Sequence, residues 1–237
     1  MGRRKSAAIA QEAPYNYPLY YYAEVARLAD ISIYRVHRWL KGYEYSYESR
    51  RIKQPPIFKK RERLSEGSSY ASFYDLIDLL FVKRFLDRGI SLQKIRKALK
   101  EAEEVLGASH FAHQVFFTDD RNIFLKIKER GGAIIELLSC GQWAIRPFIE
   151  ELGHLIEFDD ITKSVCRWYP PEGDRLVVLD PWVSFGRPII VQKGITTESI
   201  YDLYLAEGRN EFTVANWMDL ESQELKAAVK FEEYLAE

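Results

Sequence analysis

The sequence has few of the groups that build metal, redox and hydrolytic sites. Only two cysteines occur, Cys140 and Cys166, isolated from each other and without ligand spacing. They form neither a zinc motif nor a disulfide framework, so a reduced, cytoplasmic setting is expected. No run of about eighteen apolar residues exists, so no membrane span is expected. The opening "MGRRKSAAIAQEAP" is basic, but its apolar stretch is too short for a secretory signal. A glycine-rich phosphate loop is lacking. His110 and His113 share i, i+3 spacing without an accompanying glutamate, and Asp119-Asp120 and Asp159-Asp160 read as turn formers. No metal, no cofactor and no catalytic activity are therefore expected.

What is present is an uneven charge. The formal net charge is -1. Residues 1–63 nevertheless hold 14 Lys+Arg against 6 Asp+Glu, and residues 171–237 hold 6 bases against 13 acids. A basic head and an acidic tail suit two kinds of partner.

The head has a recognisable periodicity. In "YYAEVARLADISIYRVHRWLKG", Val25, Ala26 and Ala29 fall on one helical face, and Val36, Trp39 and Leu40 fall on a second. The break at Asp30-Ile31-Ser32 between them predicts two short helices joined by a tight turn, a helix-turn-helix pattern. Ser32 is placed to cap the second helix and Gly42 to end it. With Trp39 turned inward, Tyr34, Arg35, Arg38 and Lys41 turn outward together, the residue types that read a major groove. His37 lies beside this stripe. In "YEYSYESRRIKQPPIFKKRERL", extended pieces flanking Pro55-Pro56 predict a wing-like ribbon. Its cations Arg50, Arg51, Lys53, Lys59 and Lys60 would grip phosphates beside the reading helix.

Further along, Phe73, Leu76, Ile77, Leu80, Phe81 and Phe85 predict a helix stopped by Gly89. Leu92, Ile95, Leu99, Ala102 and Leu106 predict another, capped by Ser91. The period then shifts to two. "HQVFFTDDRNIFLKI" reads as a hairpin, "RGGAIIELL" and "KSVCRWYP" as strands, and Pro170-Pro171 with Gly173 as a linker. The last block opens with strands "RLVVLD" and "RPIIVQ". Three helices follow, the first capped by Thr197, with a core that includes Ile200, Val214, Trp217, Leu225 and Phe231. The final helix carries Glu221, Glu224, Glu232 and Glu233, an acidic set that suits DNA poorly. The fold class expected is α+β, mainly α. The expected organisation is a disordered basic arm (1–17), a winged helix-turn-helix (18–107), a β-hairpin-rich middle (108–172) and a small three-helix domain with a short β-hairpin (173–237).

Two family resemblances rest on these motifs. From Tyr20 to Leu106, "AEVARLADISIYRVHRWL", the wing and "FLDRGISLQKIRKAL" resemble the MerR-like winged helix-turn-helix. From about Val178 onward, Asp180-Pro181, then Phe185-Gly186-Arg187-Pro188-Ile189, then a helix closing at Gly208, resemble the bacterial domain of unknown function numbered 433. Proteins with that tail are similar to VapB-type antitoxins, commonly encoded beside a PIN-like ribonuclease toxin. The sequence departs from both patterns. A β-rich segment replaces the long dimer helix of MerR sensors, and Gln192-Lys193-Gly194-Ile195 stands where the tail domain usually has a "GT-R" stretch.

Together these readings imply an antitoxin of a toxin–antitoxin pair. It would bind operator DNA as a homodimer, repress its own operon, and neutralise a PIN-like ribonuclease toxin. Its DNA-binding residues would be Ser32, Tyr34, Arg35, His37, Arg38, Lys41, Arg50, Arg51, Lys53, Lys59 and Lys60. Two alternatives stay open on the sequence: a MerR-like regulator that answers a small ligand through its β-rich middle, and a protein-interaction adaptor with a merely solvated basic head.

Overall fold

A computed structural model describes residues 14–58, 69–106, 111–112, 153–160 and 164–237. Among these residues helix outnumbers strand and every sheet is small and antiparallel, and the chain divides into two units. No helix among the described residues is long and apolar enough to cross a membrane.

The N-terminal unit begins with β1 (Tyr20–Tyr21), α1 (Tyr22–Leu28) and α2 (Ile33–Lys41). Both helices form where the apolar spacing requires. Val25, Leu28 and Ala29 are buried from the first, and Val36, Trp39 and Leu40 from the second. Asp30 turns the chain with φ 49°, a conformation its short polar side chain tolerates. The Ser32 hydroxyl then accepts the Arg35 N–H at 3.4 Å and caps α2. Gly42 ends the helix with φ 77°. A side chain there would run into the carbonyl of Gln54. Gly42→Ala is therefore expected to lower stability by about 1–3 kcal/mol, seen as a downward shift in chemical denaturation.

A hairpin follows directly: β2 (Tyr43–Tyr47) pairs with β3 (Arg50–Gln54), with Tyr45 opposite Ile52 and Tyr47 opposite Arg50. Its tip is Glu48-Ser49, at φ 46° and 63°, the tight turn that matches strand twist. This corrects the ribbon expected around Pro55-Pro56. The prolines close the hairpin instead. Their carbonyls accept the Arg96 guanidinium at 2.7 and 3.1 Å, and Ile57 N–H donates to Trp39 O at 2.8 Å.

β4 (Tyr70–Ala71) pairs with β1, and α3 (Phe73–Asp87) and α4 (Leu92–Leu106) follow. Ser72 and Asp75 cap α3 reciprocally, and apolar residues surround it on nearly every side, as befits a central helix. Phe111 packs on Phe81 and Phe85, with ring centroids 5.6 and 5.2 Å away. Residues 14–17, expected to belong to a disordered arm over 1–17, are ordered. Tyr15 is 5% exposed and stacks on Tyr74 at 5.4 Å. Residues 1–13 lie outside the described residues, as do the hairpin expected at Asp119-Asp120 and the strand after Gly131-Gly132.

The C-terminal unit has one four-stranded sheet in the order β5 (Ile156–Phe158), β6 (Val165–Trp168), β7 (Val177–Leu179), β8 (Pro188–Ile190). β7 and β8 are the pair expected from "RLVVLD" and "RPIIVQ". β6 pairs with β7, so the strand expected within "KSVCRWYP" joins this sheet. The expected linker at Pro170–Gly173 is a packed turn with Gly173 buried.

Helices α5 (Thr197–Ala206), α6 (Glu211–Met218) and α7 (Ser222–Ala236) follow. Ile200, Val214, Leu225, Ala228 and Phe231 form their core. Two expectations fail here. The cap of α5 is Thr196, whose hydroxyl accepts Ser199 N–H at 3.3 Å. Thr197 is buried instead, its hydroxyl donating to Glu232 and to Pro188 O. Trp217, expected in the core, is 64% exposed. The acids at α7 are an open face only in part, since Glu221 and Glu233 are exposed and Glu224 is not. Glu224 is buried and accepts Glu221 N–H at 2.8 Å, which caps the helix.

Candidate nucleic-acid interface

Helix α2 and the hairpin behind it form one surface. Val36, Trp39 and Leu40 are buried, which turns Tyr34, Arg35 and Lys41 to solvent. Arg38 takes an intermediate position. Its guanidinium lies 3.4 Å from the ring centre of Tyr43 and 5.1 Å from that of Tyr34, and it donates to the Tyr34 hydroxyl at 3.4 Å. A planar cation over ring faces is attracted by their π clouds, and these contacts order Arg38. Among the described residues no carboxylate pairs with Arg35 or Arg38. Ser32 acts through the cap described above.

Tyr43 belongs to both elements, because it follows α2 immediately and starts β2. Side chains alternate along a strand, so Tyr43, Tyr45 and Tyr47 share the ribbon face that meets Arg38. The register adds Arg50 to that face, opposite Tyr47. Arg51 and Lys53 pair across from Ser46 and Glu44 on the other face, where Lys53 lies 4.0 Å from Glu44. The three ribbon cations are thus divided, one beside the helix stripe and two behind it. Lys59 and Lys60 lie outside the described residues.

His37 sits apart from the stripe, half-buried with its ring edge-on to Tyr22 at 4.7 Å. Burial, and then the charge of Lys41, lowers its pKa below the ordinary histidine value. Lys41 itself lies 5.3 Å over the Tyr22 ring. The ribbon tyrosines were not singled out from the sequence. The sequence signal for them is the strict alternation in "YEYSY". His110 and His113 lie outside the described residues.

In the C-terminal unit the charged groups do structural work. Arg167 bridges two strands' ends, donating to Asp180 at 2.7 Å and to Glu157 at 3.1 Å. Asp180 keeps the Arg167 proton bound more firmly than usual, and its second oxygen accepts Trp182 N–H at 2.9 Å. The Tyr169 hydroxyl donates to Glu157 at 2.6 Å; burial first, and this bond second, push its pKa up to about 12. Asp180 is buried, so its loss leaves Arg167 with Glu157 alone and frees the Trp182 N–H that holds the turn. Asp180→Ala is expected to cost about 2 kcal/mol of stability in urea denaturation, with Asp180→Asn recovering the part due to the Trp182 bond.

The architecture is that of a mixed α/β protein with two small units: one exposes a cationic, tyrosine-rich helix-and-ribbon surface, and the other is a four-stranded sheet with three helices. Residues 177–231 match the family described as "Protein of unknown function (DUF433)". The Asp180-Pro181 and Phe185–Ile189 motifs fall inside that match. Over 200 residues the chain is 24% identical to a protein of Mycobacterium tuberculosis (strain ATCC 25618 / H37Rv) named "Putative antitoxin VapB45", with 80% of this chain and 83% of that protein covered. In fold it is similar to the crystal structure of Rv2018 from Mycobacterium tuberculosis, with a TM-score of 0.69 and 21% identity, covering 90% of this chain and 99% of that one.

Proposed function

We propose that this protein is a DNA-binding antitoxin. Its N-terminal unit reads operator DNA as a winged helix-turn-helix of the MerR-like kind, and its C-terminal unit holds a PIN-like ribonuclease toxin. It works by binding, as a homodimer on a repeated site, and represses its own operon. The similarity to the VapB45 protein and the matched C-terminal domain support the antitoxin part.

The observation that carries the DNA part is the Tyr34–Arg38–Tyr43 stack, which joins reading helix and ribbon into one cationic surface. Arg38, pre-ordered by its rings, is the base reader: a guanidinium fork matches the two acceptors of guanine. Arg35, Lys41 and Arg50 hold phosphates. Arg38→Ala is expected to weaken binding to the DNA upstream of its own gene about 5- to 150-fold, from roughly 1–3 kcal/mol of base readout. Fluorescence anisotropy measures this, and unchanged affinity in both Arg35→Ala and Arg38→Ala rejects α2 as the reader. For the antitoxin part, co-expression with the adjacent gene decides: no rescue from that gene's toxicity rejects it.

A further inference from the structure

We propose that the C-terminal unit carries an aromatic docking surface, flanking its 191–194 turn, for an apolar groove rimmed by lysine and arginine on the toxin. This rests on the antitoxin reading and adds where and how the partner binds.

Four large aromatic side chains of this unit face solvent: Trp182 at 60%, Phe185 at 83%, Phe212 at 81% and Trp217 at 64% exposed. Scattered single apolar residues are ordinary on a surface, but aromatics gathered in one place mark interaction sites and are the residues that anchor them. Three of the four are drawn together by the 191–194 turn, which touches the 182–185 loop and the end of α6 that carries Trp217; Phe212 points about 140° away from Trp217 around that helix. Ser184 donates to the Gly194 carbonyl at 3.4 Å, and Lys193 pairs with Asp219, just past Trp217, at 2.8 Å.

The loop is also built to present its aromatics. Ser184 and Phe185 both adopt left-handed backbone conformations, at φ 48° and 57°, which a bulky side chain disfavours. Packing does not account for this, since the Phe185 ring is almost wholly in solvent. Asp180 fixes the start of the loop through Trp182 N–H. Rigid, pre-placed rings lose little entropy on binding.

Charge selects the occupant. Residues 197–219 contain Glu198, Asp202, Glu207, Glu211 and Asp219 against a single base, Arg209. Glu198, Glu211 and Asp219 pair with Arg187, Lys226 and Lys193, while among the described residues no cation pairs with Asp202 or Glu207. With three of the five acids paired, the negative charge left over on this segment rests on Asp202 and Glu207, which disfavours nucleic acid. It also disfavours a second copy of the same face, because a two-fold contact sets the patch against itself, acid to acid. A groove that binds RNA phosphates has the opposite sign, and occupying it blocks the ribonuclease directly.

The test uses the full chain and the protein encoded by the adjacent reading frame, with binding followed by calorimetry. The Phe185→Ser/Trp217→Ser double variant is expected to weaken the complex about 30-fold or more, the scale of losing central aromatic anchors. Asp202→Lys/Glu207→Lys is expected to slow association, more so at low salt. Melting temperature and operator affinity should stay at wild-type values, because these side chains are exposed and lie in the other unit. Wild-type affinity in the double variant overturns the docking surface and leaves the antitoxin reading standing. A shift from dimer to monomer in light scattering, with the complex unweakened, overturns it in favour of self-association. No binding by the wild-type chain overturns both.

Discussion

Trp39→Ala is expected to remove about 3–5 kcal/mol of stability, measured by chemical denaturation of the full chain. Trp39 is 5% exposed and lies on the inner face of α2 between Val36 and Leu40, so truncation leaves a large hole beneath the helix. Its backbone carbonyl also receives Ile57 N–H at 2.8 Å, which ties the end of the ribbon to the helix. Collapse of that hole would tilt α2 and break the alignment of Arg38 with Tyr43. Against a typical total of about 5–15 kcal/mol, the loss is a large share. DNA binding should fall with it, whereas Trp39→Phe, which keeps most of the buried volume, should retain most of both. A cost below about 1 kcal/mol would mean that the tryptophan side of α2 is not the packed side.

The second large effect is on salt. With Arg35, Lys41 and Arg50 each neutralising one phosphate, log affinity should fall with log salt at a slope of roughly -2.7 per protomer, or about 40-fold between 50 and 200 mM. A homodimer on two half-sites doubles the slope. Arg50→Ala should reduce it by about 0.9 per protomer and weaken all sequences alike. Arg51→Ala and Lys53→Ala should change it less, because the hairpin register places both on the opposite face. A slope near zero would mean that the basic head is only a solvated surface.

The legible parts of the fold were those with a strong period. The stripe on α2 followed from the spacing of Val36, Trp39 and Leu40, since an inward tryptophan fixes what points outward. The helix at 73–87 followed from its apolar residues and from Gly89. The ribbon was misplaced because Pro55-Pro56 is a loud breaker, whereas its actual tip, Glu48-Ser49, turns on two residues that seldom adopt positive φ. The cap of α5 was displaced by one because Thr196 and Thr197 are chemically alike; only tertiary packing reveals that Thr197 is needed inside, against Glu232. Trp217 was assigned to the core because hydrophobicity alone says that a tryptophan prefers burial. On so short a helix as α6, with Val214 already filling the inner face, no periodicity separates the two sides. The division of Arg50 from Arg51 and Lys53 depended on strand register, which adjacent sequence positions do not reveal.

The pairing of β6 with β7 bears on how this protein is dissected. A fragment trimmed to the 177–231 family match would lose the strand that shields one edge of β7, the arginine that neutralises Asp180, and Glu232, the acceptor for the buried Thr197 hydroxyl. Its bared strand edge would offer unpaired amides to neighbouring molecules, an invitation to aggregate. Cutting ahead of His154 and keeping the chain to its last residue preserves all three, so the cooperative block is wider than the homologous one.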